Sequence, residues 1–315
     1  MKTAFLTHPL FLEHQTGAHH PETAARLRAI ESHLRECGLW DELTHLPFEA
    51  ASEADIARCH LESHIARVKN LAKNGGGALD GDTLVSPKSF EIALLASGAA
   101  IRAVEAVWKG EADNAFVAAR PPGHHAESGR DPNSPWGFCL FNQIAVAARY
   151  AQEVLGAEKV AILDFDVHHG NGTQEIFIED PSVFFASIHE SPLFPGSGAH
   201  AEIGEGAGRG TTLNFPLPAG SDGALYRLAW AQVGMAVEKF APDLILLSAG
   251  FDAHQSDPLA HMKLATEDFA ALVADAKSWA QKGCGGKLVA VLEGGYDLPA
   301  LSQSVAATLR VLRRA

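Results

Sequence analysis

Six short apolar runs, separated by stretches with helical spacing, constrain this chain more than any other feature. They occupy residues 3–7, 114–119, 160–166, 183–188, 244–248 and 288–292. Nearly continuous apolar runs of this length are expected of strands buried on both faces; a strand with one wet face would alternate. The intervening helix-like stretches lie at 22–35, 90–108, 143–155, 222–240, 266–281 and 300–313. The first follows Pro21, a good first-turn residue, and places Leu27, Ile30 and Leu34 on one face. Strand alternating with helix predicts an α/β chain built as a doubly wound parallel sheet.

The rest of the chain supports one unit spanning residues 1–315, because no linker, repeat or composition shift divides it. With 47% hydrophobic and 20% charged residues it has the means to bury a core, which excludes a disordered chain. The formal net charge of −13 argues against a nucleic-acid face and against an anionic membrane surface. The most apolar helical stretch, 92–108, carries Arg102 and Glu105 and does not read as a membrane span. The N-terminus lacks the features of a signal peptide. The four cysteines form no CxxC pair, which fits a reducing compartment, and the expectation is a cytoplasmic protein.

Three loop-like segments are unusually long, at 74–87, 120–138 and 189–211, and loops of that length in a compact domain are usually functional. Ligands of parallel sheets bind beyond the carboxyl ends of the strands. Four polar clusters follow strands there: Arg120 to His125, Asp164 to Asn171, Ser248 to Asp252, and Glu293 to Tyr296. Side chains two apart on a strand share a face, so Asp164, Asp166 and His168 should point the same way. An Asp-x-His pair can offer an oxygen and a nitrogen to one ion, and Asp252 can supply a third ligand. Three protein ligands leave a position open, as in catalytic zinc sites.

Two carboxylate ligands cancel the charge of a divalent ion and weaken it as an electrophile. Such a site needs a general base and a separate oxyanion donor. His124 and His125 can supply the base. Tyr296, flanked by Gly294 and Gly295, can supply the donor from its phenol.

These residues resemble the zinc-dependent histone deacetylase family, in particular its class II branch. The matching pieces are RPPGHHAE (120–127), WGFCLFN (136–142), LDFDVHHGNGTQ (163–174), SPLFPGSG (191–198), LSAGFDAH (247–254) and LEGGY (292–296). The resemblance implies the arginase/deacetylase fold, a mainly parallel sheet of about eight strands with helices on both faces. It implies removal of acetyl groups from acyl-lysine or related acyl-amines by a zinc-bound water, with one Zn2+ held by Asp166, His168 and Asp252. His125 resembles the general base, His124 its electrostatic partner, Asp164 the carboxylate orienting His124, and Tyr296 the residue polarising the carbonyl. Asn171 stands where class I enzymes carry Asp; it can orient His125 but brings no charge. Members with weak catalysis replace the tyrosine by histidine, and Tyr296 is present here.

The same resemblance places substrate contacts. Gly137 would offer its carbonyl to the substrate N–H, and Phe138 and Phe194 would wall a tunnel around the acyl-lysine stem. Asp82 would be a rim carboxylate holding substrate backbone. Arg26 resembles an arginine on the acetate exit path, with a helix-surface salt bridge as the competing reading. The family often binds K+ near Asp164, Asp166, His168 and Ser187, which this sequence permits. Leu259 occupies a tunnel-mouth position where a polyamine-selective relative carries glutamate, so an acyl-lysine stem is favoured over a free polyamine. Acetylated polyamines remain the alternative substrate, with Asp82 or Glu127 as possible sources of the missing charge. A non-catalytic acyl-lysine binder and a two-manganese ureohydrolase are more remote readings. The first predicts a broken site, the second additional Asp and His ligands.

Overall fold

The computed structural model describes residues 1–314. Its centre is a parallel sheet of eight strands. The strands are β1 (Thr3–Leu6), β2 (Thr44–His45), β5 (Asn114–Val117), β6 (Val160–Asp164), β7 (Val183–Glu190), β8 (Thr212–Leu217), β9 (Leu244–Ala249) and β10 (Leu288–Leu292). A separate antiparallel hairpin joins β3 (Gly77–Ala78) to β4 (Leu84–Val85). The sheet order is β2-β1-β5-β10-β9-β6-β7-β8. Every residue of β5, β6, β9 and β10 is buried, which is why these strands read as unbroken apolar runs.

Helices cover both faces. On one lie α1 (Ala25–Glu36), α7 (Gly223–Phe240), α8 (Thr266–Gly283) and α9 (Leu298–Arg313). On the other, α4 (Ser89–Trp108) packs on α5 (Gln143–Tyr150), with α2 (Glu53–Ile56), α3 (Glu62–Lys73) and α6 (Asn171–Phe177) beside them. The α/β fold expected from the sequence is therefore present as a single domain with an eight-stranded sheet.

Several boundaries differ from the sequence reading. The chain helix expected from residue 22 starts at Ala25, so Pro21 is not a first-turn residue. The carbonyl of Glu22 instead accepts Thr16 Oγ1 at 2.5 Å and Arg120 Nη2 at 3.1 Å, and is lost to a helical ladder. The edge strands β2 and β8 and the helices α3 and α6 were not expected. β8 contains Pro216, which a strand tolerates only at an edge. The stretch expected as one helix over 143–155 changes to a π-helical turn at Ala151–Leu155.

The topology determines where a site can form. From β6 the chain steps outward through β7 to the edge strand β8. It then returns to β9, on the other side of β6, and continues to β10. The connections after β6 and β9 leave on opposite faces, which opens a crevice at the carboxyl ends of these two neighbours. Asp166 and His168 follow β6, and Asp252 follows β9.

Candidate active site

β6 ends at Asp164, so strand alternation alone does not hold Asp166 and His168 on one side. A ladder of side-chain turns does so. Asp164 Oδ1 accepts the N–H of Asp166 at 3.0 Å, and Asp166 Oδ1 accepts the N–H of His168 at 2.9 Å. Aspartates bond their own backbone two residues on, and here the habit is used twice in succession. Asp252 is fixed from the neighbouring strand, its Oδ1 accepting the N–H of Val167 at 2.9 Å.

One ligand atom from each of Asp166, His168 and Asp252 lies within 4.8 Å of the others, and all three residues are buried. His168 Nδ1 is 3.1 Å from Asp166 Oδ1 and 3.1 Å from Asp252 Oδ2. The Gly294 N–H donates to Asp166 Oδ2 at 2.7 Å. A Cβ on Gly294 would overlap Asp252 Oδ2, so only glycine admits this approach. Burial resists charge on His168, but hydrogen bonds to the two carboxylates lift its pKa to about 10. Burial and the neighbouring Asp166 push the Asp252 carboxyl above its ordinary range. Two buried carboxylates this close to one imidazole favour a positive charge between them. Its two carboxylate oxygens and one imidazole nitrogen fit a divalent ion of the zinc type.

Two histidines stand against the cluster with rings 4.0 Å apart. His124 Nδ1 lies 2.9 Å from Asp164 Oδ2. Burial works against a charge there, yet Asp164 and Asp166 raise the ring well above its ordinary value. His125 Nδ1 instead lies 2.7 Å from Asn171 Oδ1. Burial, and then the charge of His124, hold it well below its ordinary value. One ring is thus kept charged and the other neutral, a division that suits a base beside an electrostatic partner.

Tyr296 extends from the loop after β10, with its backbone N–H bound to Asp257 Oδ2 at 2.7 Å. Burial pushes its phenol well above its ordinary value, so it remains a donor. Arg26 lies 5.0 Å over its ring. Arg26 is not on the helix surface: it is fully buried. It donates from Nε to the Gly295 carbonyl at 2.7 Å and from Nη2 to the Glu293 carbonyl at 2.5 Å. The surface salt-bridge reading of Arg26 is therefore corrected; the arginine braces the Gly-Gly turn from behind. Glu22 pairs Arg26 in turn with the equally buried Arg120.

A cavity of about 220 Å³ opens onto this cluster, lined by Asp82, His125, Gly137, Phe138, His168, Leu193, Phe194, Leu259 and Tyr296. Phe138 meets Tyr296 edge-on at 5.9 Å, and Phe194 meets His125 at 5.0 Å. All five residues expected to touch substrate line it. Leu193 was missed, although it directly precedes Phe194. Glu127, considered as a polyamine contact, is not among the lining residues; it sits behind Asn171. Also missed were Asp80 and Thr83, which bind the backbone of Trp136 and Phe138 at 2.8 and 3.0 Å. Their partners lie more than fifty residues away, where no spacing rule reaches. Ser187 bonds His189 Nδ1 at 2.9 Å.

Comparison with known proteins agrees with this geometry. The Histone deacetylase domain model matches residues 20–312. The chain belongs to the histone deacetylase family. It is 41% identical to the histone deacetylase-like amidohydrolase of Pseudomonas aeruginosa, over 94% of this chain and 82% of that protein. It is 39% identical to the chloroplastic histone deacetylase 14 of Arabidopsis thaliana, over 93% of this chain and 73% of that one. The crystal structure of the HDA15 HD domain superposes with a TM-score of 0.91 at 33% identity, covering 99% of this chain and 88% of that one. The family is one of deacetylases and amidohydrolases acting on acetylated substrates.

Proposed function

We propose that this chain is a zinc-dependent amidohydrolase that removes the acetyl group from acyl-lysine side chains. The observation that carries the reading is the meeting of the Asp166, His168 and Asp252 cluster with the floor of the Phe-walled cavity. A Zn2+ ion held by these three residues would supply Lewis acidity at the carbonyl and at the attacking water.

The chain's own residues supply the rest. The apolar stem of the substrate lies between Phe138 and Phe194, which bury methylenes without a polar cost. The Gly137 carbonyl accepts the substrate N–H. The Tyr296 phenol donates to the carbonyl oxygen as negative charge grows there. His125 Nε2 takes a proton from the water whose oxygen forms the new C–O bond. When the C–N bond breaks, that proton passes to the leaving amine, and acetate and free lysine result. His124, held charged by Asp164, stabilises the negative charge of the intermediate. Asp82 at the rim faces the substrate backbone. A K+ ion beside Asp164 and Ser187 belongs to the same reading as a structural support.

The test is purified protein assayed on an acetyl-lysine peptide, longer-acyl peptides and acetylspermidine, with metal content measured on the same sample. We expect one zinc per chain and hydrolysis of the peptide. Asp252→Ala should lose both metal and activity. Tyr296→Phe should keep the metal and lose turnover by about 10²-fold or more, as when one oxyanion donor is removed. Two ions per chain, activity surviving the loss of metal, or no hydrolysis of any acyl-amine would each overturn the reading.

A further inference from the structure

A single amide separates His125 from a carboxylate. Asn171 Oδ1 faces His125 Nδ1 at 2.7 Å, and Asn171 Nδ2 donates to Glu127 Oε1 at 2.8 Å. The carbonyls of Pro135 and His125 lie 3.4 and 3.5 Å from the same nitrogen. Three acceptors on one side admit only the NH2 end of the amide, which leaves the oxygen facing the imidazole. An acceptor there demands the proton on Nδ1 and leaves the Nε2 lone pair directed at the cavity. Glu127 is itself held, because Ser134 Oγ donates to its Oε2 at 2.5 Å.

The two adjacent histidines are therefore served differently. His124 meets the carboxylate of Asp164 directly at 2.9 Å. His125 meets a carboxylate only through a neutral amide. Direct contact holds a ring protonated; an interposed amide passes on part of the charge by polarising its own carbonyl. The base must accept a proton and release it again, and the weaker coupling suits that cycle.

We infer that Glu127 is a positioning residue of the hydrolysis: acting through Asn171, it supports with the Pro135 and His125 carbonyls the Nδ1–H tautomer of His125, and it alone supplies at one remove the negative charge that Asn171 lacks. This rests on the reading of His125 as the base. Glu127→Gln keeps the shape but removes the charge and the strongest of the three acceptors, while the Pro135 and His125 carbonyls still face the Asn171 NH2.

The experiment measures kcat and KM on an acetyl-lysine peptide for wild type, for Glu127→Gln and for the double variant Glu127→Gln with Asn171→Asp. Zinc content and melting temperature are read on each. Glu127→Gln should lower kcat about tenfold with KM unchanged, the scale typical of outer partners. The double variant should recover most of the loss, because the carboxylate then touches His125 directly. Wild-type kcat in Glu127→Gln, a change in KM alone, or a loss that the double variant does not recover would overturn the inference. Should Glu127→Gln fail to fold, ring 15N spectra of histidine-labelled wild type and of Glu127→Asp, which keeps the charge but draws it back from Asn171, decide, with His125 assigned by His125→Gln. An Nδ1–H tautomer whose ring shifts move when Glu127 is drawn back supports the inference, and an Nε2–H tautomer or identical shifts in the two proteins sink it. A wild-type protein inactive on every acyl-amine defeats the functional reading instead, and the His125 ring 15N shifts of wild type compared with those of Glu127→Gln still report on Glu127.

Discussion

Leu259 sits at the cavity mouth with its backbone N–H bound to Asp257 Oδ1 at 3.0 Å. The loop position is thus fixed by Asp257, and the side chain is free to set what enters. Leucine there offers apolar contact to a methylene stem and nothing to a distal ammonium. Glutamate there would place a charge where a polyamine carries its second nitrogen. Leu259→Glu should therefore shift the ratio of kcat/KM for acetylspermidine over acetyl-lysine peptide upward by about tenfold, the value of one modest charge contact. A wild type that already prefers acetylspermidine would transfer the discrimination to Asp82, the acidic residue lining the cavity. The candidate site residues were legible in the sequence because their side chains are rare in apolar surroundings. Asp166, His168, Asp252 and Tyr296 all follow buried strands. Glu127 was read in the sequence only as a candidate polyamine contact, since its meeting with Asn171 spans 44 residues of sequence.

At the scale of elements, the β3–β4 hairpin does more than close a glycine-rich loop. Asp80 within it binds the N–H of Trp136, and Thr83 Oγ1 accepts the N–H of Phe138 at 3.0 Å. Phe138 needs such a hold, because its φ of 70° lies in the left-handed region. That conformation costs a non-glycine residue about 1–2 kcal/mol, so the surroundings must impose it. Gly137 beside it has φ 48°, and a Cβ there would run into the His125 ring. Thr83→Val keeps the volume of this buried residue and removes the acceptor. KM for the peptide should rise about fivefold, matching a lost hydrogen bond of about 1 kcal/mol, with kcat nearly unchanged. An unaltered KM would mean that packing alone positions the ring. The hairpin itself could not be read from sequence, since two-residue strands carry no periodicity. α3 was missed for a related reason: its buried stripe of Ile65, Val68 and Ala72 lies among charged residues and a buried histidine. The central strands were legible to within a few residues because burial on both faces leaves only one kind of side chain.

Over the whole molecule, the 16 histidines have consequences beyond the candidate site. His14, His60, His64, His169 and His189 are all buried, each at most 3% exposed. Burial lowers their rings to about 4, 3, 4, 4 and 3 respectively. His60 and His64 hold the carbonyls of Glu127 and Leu140, and His169 and His189 hold Ser197 Oγ and the Gly198 carbonyl. These neutral rings thus brace the loops that carry both cavity walls. Each titrates lower in the folded chain than its ordinary 6.5, so the unfolded chain binds more protons at any pH between. The stability they contribute is full above pH 6.5 and is lost as pH falls toward 4 and 3. Glu22, where burial opposes charge but Arg120 prevails, is held at about 2 and adds a further loss below its ordinary 4.5. His124 acts in the opposite sense, since its raised pKa gives stability below 6.5 that fades above it. His168 acts in the same sense as His124 and His125 joins the neutral set, so two rings against six leave the balance among the histidines with the neutral set. Each fully neutral ring contributes up to about 1.4 kcal/mol per pH unit within its window. The melting temperature should therefore begin to fall between pH 6.5 and 5, by less than the rings alone would give, because burial raises the Asp164, Asp257 and Glu293 carboxyls to about 6, 7 and 7 and these oppose the loss over the same range. Thermal melts from pH 8 to 4.5 would check this, and a flat profile down to pH 4.5 would mean that the rings accept protons without unfolding the loops they brace.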